Sequence, residues 1–382
     1  MKKYLVLVLT LIFVLSLAVA AFAEVKLSGD ARVRGIWKNN YDMDTDADDE
    51  DDRYYDQRFR LKVVGDAGNG IEARARLEFA NSAWGNGQAT KDNPLVEYAY
   101  LHIPIASVTV DAGLKTRDYG YGFLTDMYDQ EFETIEASMT FDTVTVTAFT
   151  DKVTDTRAAE TGSDNLKDYD NYGLSVSAKV GEINIGALIA SQKDARPATD
   201  VDGNIYDINA SANINNIAIK AELAYLTGDI NEDTEGNDPM GFFVSAAMPM
   251  GQINVHGAIA YAADGYTADD DFTPTVFIGT DQNTAALDFA ATDDESSYAV
   301  VVGADYSVND DLGVSAKLAY LSQDAMGVGG DDRTAIEFDA GLSYKIAANA
   351  SYSLDFGYLS PSDWTAEDDA AIALAHKVQI SF

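Results

Sequence analysis

Residues 55–80 read YDQRFRLKVVGDAGNGIEARARLEFA, and this stretch decides the fold. In its first half apolar residues alternate with charged ones, and the same alternation resumes at Ile71. A period of two is typical of a β-strand, and the Asn69-Gly70 pair between the two halves is typical of a tight hairpin turn. The sequence therefore predicts a hairpin with one apolar face and one strongly charged face.

The charged face continues onto the preceding segment, 25–37, which alternates in the same way. Across these first three predicted strands, seven basic residues share one parity; we call them the basic ladder: Arg32, Arg34, Arg58, Arg60, Lys62, Arg74 and Arg76. A soluble sheet buries its apolar face against a second apolar layer. A membrane barrel turns that face to lipid and encloses the charged one, which is the arrangement that this pattern favours.

The N-terminal segment has the features of a secretory signal peptide. Lys2 and Lys3 precede an apolar run, which closes on the small-x-small triplet Ala21-Phe22-Ala23. We predict a signal peptide over residues 1–23 and a single transmembrane barrel domain over residues 24–382, with an N-terminal membrane anchor as the alternative. Because no later apolar run approaches the ~20 residues of a spanning helix, the mature chain is either exported and soluble or crosses the membrane as strands.

Composition excludes several classes of function. The chain has 63 acidic and 26 basic residues, a net charge of −37, and no cysteine. A surface this acidic disfavours nucleic acid as a partner. Three histidines without metal-ligand spacing, and no nucleotide-binding or hydrolase motif, argue against an enzyme, so we expect no activity, cofactor or firmly bound metal.

The alternating segments number eighteen, and the connections between them alternate between short and long. Residues 104–107 and 249–252 are examples of short connections, and 116–133 and 262–296 are examples of long ones. A chain that meanders up and down across a membrane has tight turns on one side and loops on the other. The sequence predicts an all-β fold, a transmembrane antiparallel up-and-down β-barrel of 18 strands.

With these features the chain resembles the general porins of Gram-negative outer membranes, which are trimeric β-barrels. The resemblance rests on the signal peptide, the basic ladder, the stretch 115–133, and an alternating last strand that ends on Phe382. It implies that Phe382 belongs to the signal read by the barrel assembly machinery and that the third long loop folds into the lumen. General porins have 16 strands, so 16 is the alternative to 18, the count of substrate-specific sugar channels.

The resemblance also supplies a candidate constriction. In that family acidic residues of the inward loop oppose basic residues of the wall, and the matching candidates here are Arg117, Asp118, Tyr119, Tyr121, Asp126, Asp129, Glu131 and Glu133. Opposite charges across a narrow gap orient dipolar solutes and bias ion selectivity. Two alternatives stay open: the stretch is an ordinary surface loop, or the ladder pairs with Asp30, Asp56, Glu72 and Glu78 on neighbouring strands.

A second acidic stretch, 39–52, invites a calcium interpretation. Its alternating aspartates are Asp42, Asp44, Asp46 and Asp48. Ala47 stands where an EF-hand loop needs glycine and Arg53 stands where it needs the closing glutamate, so an EF-hand is rejected. Weak divalent binding, bridging the rim to lipopolysaccharide phosphates, remains an alternative to a solvated loop.

These features predict an outer-membrane porin: a water-filled channel for passive diffusion of ions and small hydrophilic solutes, with a charged constriction. The alternatives are a substrate-specific outer-membrane channel, an outer-membrane barrel enzyme, and an exported calcium-binding surface protein. The expected partners are outer-membrane lipid and lipopolysaccharide, the barrel assembly machinery, and further copies in a homotrimer. The acidic rim favours cations and the ladder favours anions; the sequence leaves the sign open, with the rim weighing slightly towards cations.

Overall fold

The computed structural model describes the following residues: 24–41, 43, 51–84, 95–117, 119–124, 132–154, 169–194, 202–228, 238–269, 272–279, 287–291, 295–324, 332–364 and 368–382. The predicted signal peptide, 1–23, lies outside them, so its assignment stays a prediction. Within the described ranges, no helix is long and apolar enough to span a bilayer.

Eighteen strands carry the fold. Their bounds are β1 Glu24–Asn39, β2 Asp51–Gly68, β3 Ile71–Ala83, β4 Leu95–Ile105, β5 Val108–Lys115, β6 Phe132–Phe141, β7 Val144–Thr154, β8 Tyr169–Val180, β9 Ile183–Asp194, β10 Asp202–Ile214, β11 Ile217–Gly228, β12 Met240–Met250, β13 Ile253–Ala263, β14 Ser296–Ser307, β15 Leu312–Gln323, β16 Arg333–Ala347, β17 Ala350–Ser362 and β18 Ala371–Ser381.

Each strand pairs antiparallel with its neighbours in sequence, and β1 pairs with both β2 and β18, which closes the sheet into a barrel. At the seam, the Gly29 amide donates to the Phe382 carbonyl at 2.8 Å and the Phe382 amide donates to the Gly29 carbonyl at 2.9 Å. Closure removes the unpaired edges that an open sheet would leave. The predicted 18 strands are confirmed, and the alternative of 16 is excluded.

The alternation of the sequence separates two faces. Apolar side chains such as Leu27, Ile189 and Ile208 are 55%, 55% and 58% exposed, whereas inner-face carboxylates such as Asp207 and Glu222 are 1% and 2% exposed. In a bilayer the first group meets acyl chains, where charged side chains would cost about 2–4 kcal/mol at mid-depth. The charged parity therefore faces the interior.

The short connections form tight turns at one end of the barrel. Asn69, Asp142, Asn215 and Asn216 adopt the left-handed conformation there, with φ between 51° and 69°. Asparagine and aspartate tolerate this conformation better than most residues, and it suits the twist of a hairpin. In outer-membrane barrels tight turns lie on the periplasmic side and long loops on the extracellular side, and we name the two ends of this barrel accordingly.

Two long connections fold back into the barrel. We call the connection between β5 and β6 loop L3, and the connection between β13 and β14 loop L7. They meet in an aromatic cluster whose members are Phe123 of L3, Tyr266, Phe272 and Phe289 of L7, and Phe243 of β12. The Phe123 ring lies 5.3 Å from that of Tyr266 and 4.9 Å from that of Phe272, and the Tyr266 hydroxyl donates to the Phe123 carbonyl.

Candidate functional site

The basic ladder lies on the inner face of three adjacent strands. In the register of β1 and β2, Arg32 stands opposite Arg58 and Arg34 stands opposite Asp56. In the register of β2 and β3, Lys62 stands opposite Arg76. Because β1, β2 and β3 are neighbours in the sheet, the seven cations lie together on one inner wall of the barrel.

Carboxylates on the same wall pair with these cations, as one of the sequence-based alternatives proposed. Arg34 pairs with Asp56, with Nη2 2.6 Å from Oδ2. Arg58 and Arg60 share Asp30, at 3.8 Å and 3.2 Å. Arg60 also contacts Glu97 of β4 at 3.1 Å, and Arg76 pairs with the other oxygen of that carboxylate.

The lower end of the wall carries further contacts. Arg74 pairs with Glu72 at 2.6 Å and lies 5.9 Å from the centroid of the Tyr100 ring, and Arg76 lies 5.1 Å from the centroid of the Tyr98 ring. Lys62 is exposed in the lumen. The arginine side chains are 17–31% exposed where they pair with Asp30, Glu72 and Glu97, so they pair with neighbours and still reach solvent.

Loop L3 starts against the wall rather than in the open lumen. The Arg117 side chain is buried; it donates to Glu136 at 3.3 Å and to Asp151 and Thr134, and its guanidinium lies 3.8 Å from the centroid of the Phe149 ring. Tyr119 packs beside the same ring at 6.3 Å. Arg117 therefore anchors the base of the loop instead of presenting a charge to a passing solute.

Beyond this anchor, L3 crosses the lumen to β11. The amides of Tyr121 and Leu124 donate to the Glu222 carboxylate, the second at 2.9 Å. Gly120 has a φ of 65°, and a Cβ at this position would lie 2.3 Å from the Glu222 carboxylate, so only glycine allows this approach. Since β5 and β11 are six strands apart, the predicted inward fold of the third loop is confirmed for its described part.

Only one of the five acidic residues of the predicted constriction lies within the described residues. Asp118, Asp126, Asp129 and Glu131 lie outside the described residues. Glu133 was expected in the loop facing the ladder, and this was wrong: it is the second residue of β6. Its neighbours Phe132 and Thr134 are buried inside, so Glu133 has the outward parity of Ile135.

Loop L7, which the sequence did not single out, is held by a carboxylate in the same manner as L3. Glu337 of β16 is fully buried and accepts the Thr275 hydroxyl at 2.6 Å, the Phe277 amide at 2.7 Å and the Ile278 amide at 3.1 Å. The neighbouring Asp339 accepts the Val276 amide at 3.3 Å. A buried carboxylate without donors would be strongly unfavourable, so loop and wall require each other.

A usable signal for L7 was present in the sequence. Residues 272–279 read FTPTVFIG, an apolar run inside a connection that is otherwise acidic. Such a run does not suit a solvated rim. The inward parity of Glu337 and Asp339, two acids on an otherwise apolar strand segment, was the complementary signal.

Two other predicted sites can be placed only in part. The backbone of Phe382 closes the seam with Gly29, and its ring packs against Phe59 at 5.7 Å. Its role as an assembly signal stays a prediction. The four aspartates of the weak divalent site, Asp42, Asp44, Asp46 and Asp48, lie outside the described residues.

Comparisons with known proteins agree with this geometry. Residues 32–203 match the family model described as phosphate-selective porin O and P, which is somewhat less than half of the chain. No curated protein matches the chain in sequence. The matched residues include the whole basic ladder, so the family resemblance covers the part of the barrel in which the ladder lies.

Solved structures match over nearly the whole chain. OpdO of Pseudomonas aeruginosa is 12% identical, with a TM-score of 0.64 over 94% of this chain and 97% of that one. OccD3 (OpdP) of the same organism is 12% identical, with a TM-score of 0.61 over 93% and 91%. The anion-selective porin from Comamonas acidovorans is 13% identical, with a TM-score of 0.52 over 94% and 100%. The predicted fold, a closed antiparallel barrel like those of these structures, is confirmed.

Proposed function

We propose that this barrel is an outer-membrane porin of a Gram-negative bacterium, a channel for small solutes, and that it passes small hydrophilic anions in preference to cations along the inner wall of β1–β4. The preference comes from the basic ladder, and the passage is passive. Solutes move through water that also solvates the ladder, so the protein needs only to shape and charge the path.

The observation that carries the proposal is the sharing of carboxylates on this wall. Three arginines, Arg58, Arg60 and Arg76, divide two carboxylates, Asp30 and Glu97, between them. The buried Glu78 also lies on this wall, opposite Arg60. The seven cations of the ladder therefore lie beside five carboxylates, Asp30, Asp56, Glu72, Glu78 and Glu97, and positive charge remains in excess. An uncompensated charge in a narrow lumen attracts ions of opposite sign and repels those of the same sign.

The loops narrow the lumen on the side of the barrel away from the ladder. L3 is fixed to β11 through Glu222, and L7 is fixed to β16 through Glu337. Their aromatic cluster packs against Phe243 of β12 and narrows the lumen on that side. A hydrated ion is thereby directed towards the opposite wall, where the ladder lies, and bulky apolar solutes are disfavoured.

The match of residues 32–203 to the phosphate-selective family supports an anion path, because that match spans the ladder. This replaces the slight sequence-based preference for cations, which came from acids in the extracellular loops. The potential at the narrowest part of a pore governs selectivity more strongly than charges at a wide, solvated rim, because salt screens charges over about 8–10 Å.

Reversal potentials in a planar bilayer with a potassium chloride gradient test the proposal. We expect chloride preference in the wild type. Arg60→Gln leaves one arginine for each of Asp30 and Glu97, so its preference for chloride should fall or disappear. Arg60→Lys keeps the charge and serves as the matched control. A wild-type reversal potential that favours potassium would refute the anion assignment.

The quaternary and assembly partners are proposals of the same kind. We infer from the family resemblance that the barrel forms a homotrimer, contacts lipopolysaccharide, and is inserted by the barrel assembly machinery, with Phe382 in the assembly signal. Chemical cross-linking in intact outer membranes tests the trimer: a ladder that stops at three copies supports it, and monomer alone contradicts it.

A further inference from the structure

A cavity of about 380 Å³ lies under the two inward loops, on the side of the barrel away from the basic ladder. Its floor is the inner face of β11–β15, and its roof includes Tyr121 of L3 and Phe272 and Pro274 of L7. The volume falls within the range of small-molecule binding sites. Both loops contribute to its wall, so the cavity exists only while both loops are folded inwards.

The charged side chains of the cavity lining are basic, although the chain as a whole is acidic. In a protein with 63 acidic and 26 basic residues, the cavity lining includes Lys220, Lys317 and His256 and no carboxylate. The remaining lining is apolar or small and uncharged, with the aromatic rings of Phe243 and Phe272 on one side. His256 lies 3.7 Å from the Asp305 carboxylate, so the two lysines supply the positive charge of the lining. The lining favours a negatively charged ligand with an apolar part.

The two lysines stand at opposite ends of the cavity. Lys220 is on β11 and Lys317 is on β15, four strand spacings apart in the register that joins them through β12, β13 and β14. At about 4.8 Å per spacing, their backbones are separated by roughly 19 Å along the wall. A compact anion can contact one ammonium group only, whereas an elongated dianion can contact both.

Both ammonium groups are oriented by the loops. The Lys317 Nζ donates to the Pro274 carbonyl at 2.8 Å, and the Lys220 Nζ lies 5.1 Å from the centroid of the Tyr121 ring. In the described part of the chain neither forms an ion pair with a carboxylate. Asp339 and Asp355 both lie close enough to act on Lys317 electrostatically, and one oxygen of Asp339 accepts the Val276 amide. An ammonium group has three donors, so each lysine keeps donors for a ligand.

We propose that this cavity is a binding site for elongated organic dianions, with an anionic group at each end and an apolar middle. Lys220 and Lys317 each bind one anionic group, and Phe243 and Phe272 contact the hydrocarbon between them. The proposal rests on the proposed function, because it names a solute class for the same channel. It adds a site on the wall opposite the ladder, where a solute pauses beneath L3 and L7.

Current block by sebacate, a ten-carbon dicarboxylate, tests this site. Succinate is the short dianion for comparison, and monomethyl sebacate is the length-matched monoanion. We expect sebacate to interrupt the single-channel current at concentrations at least tenfold below those of both comparison compounds. Equal potency of sebacate and succinate would overturn the two-point site.

Substitutions locate the block. Lys220→Met/Lys317→Met should raise the half-blocking concentration of sebacate at least tenfold, and Lys220→Arg/Lys317→Arg should preserve the block. Lys179→Met/Lys345→Met removes the same charge from the periplasmic ends of β8 and β16 and should leave the block unchanged. Block that survives in the Lys220/Lys317 methionine variant, or that falls equally in the Lys179/Lys345 control, would overturn the assignment.

The two proposals fail separately. Chloride-to-potassium selectivity is measured in potassium chloride alone, so it reports the ladder without the dianion. A barrel that prefers potassium but is still blocked by sebacate through Lys220 and Lys317 would refute the anion path and keep the site. Folding of each variant is checked by the faster migration of the unheated barrel in gel electrophoresis.

Discussion

Removing the Glu337 carboxylate should release loop L7 into the extracellular solvent. In Glu337→Ala, the Thr275 hydroxyl and the amides of Phe277 and Ile278 lose their acceptor, at 2.6 Å, 2.7 Å and 3.1 Å in the wild type. These groups are buried when the loop is docked. The unsatisfied donors can regain hydrogen bonds only if the loop moves out to water.

The size of the effect follows from these three contacts. Hydrogen bonds to a charged partner contribute about 1.5–3 kcal/mol each, so the lower end of that range gives roughly 4.5 kcal/mol for three. The wild type bears the cost of burying the carboxylate, which offsets part of this sum, and about 3 kcal/mol remains for docking. At 1.4 kcal/mol per factor of ten, this lowers the docked-to-released ratio roughly 10²-fold. Glu337→Gln keeps one carbonyl acceptor and should lie between the wild type and the alanine variant.

Two measurements read out the release. Single-channel recordings should show a larger conductance and more current noise, because L7 no longer narrows the lumen. Chymotrypsin should cut at Phe277, a fully buried side chain in the docked loop. Asp305→Ala is the matched control: it removes an inner-wall carboxylate that accepts from Asn254 at 3.1 Å and lies 3.7 Å from His256, both on β13. If Glu337→Ala keeps wild-type conductance, noise and resistance to chymotrypsin, the carboxylate does not hold the loop.

Two further substitutions test how L3 is held. Arg117→Met leaves Glu136 and Asp151 buried without their guanidinium, which should lower the stability by about 3–5 kcal/mol. The midpoint of urea unfolding should therefore fall. A midpoint equal to that of Lys179→Met, a substitution at an exposed site, would contradict this. Gly120→Ala adds a Cβ 2.3 Å from the Glu222 carboxylate at a φ of 65°, so L3 should detach and the conductance should rise. Gly181→Ala is the control: its φ is also 65°, but no atom lies within 4 Å of the added Cβ, so the conductance should not change. Equal conductance in both variants would argue against the glycine requirement at L3.

The strands could be predicted from the sequence because their cause is local. A period of two between apolar and charged residues, as in 55–63, is imposed by the two environments that a barrel wall separates. The tight turns were readable for the same reason, since Asn69-Gly70 and Asn215-Asn216 have the conformational preferences that such turns require. Pairing of each strand with the next one then follows from the short connections.

The interior could not be predicted in this way because its contacts are distant in sequence. Leu124 and Glu222 are 98 residues apart, and Phe277 and Glu337 are 60 residues apart. No local pattern states that a wall glutamate accepts loop amides. The inward course of L3 came from a family resemblance, and Glu133 was misplaced because the start of β6 depends on the pairing of Phe132 with Lys115.

Carboxylates inside this barrel therefore divide into two groups with different consequences for a passing ion. Glu222 and Glu337 accept the backbone amides of L3 and L7, so their charge is largely neutralised by fixed donors and they act as anchors. Asp30 and Glu97 face the lumen, but each is shared by two arginines. A count of acids against bases would predict a cation channel from a net charge of −37. Because the acids of the loop side are engaged in holding loops, the field along the open path is set by the wall on which arginines outnumber their partners.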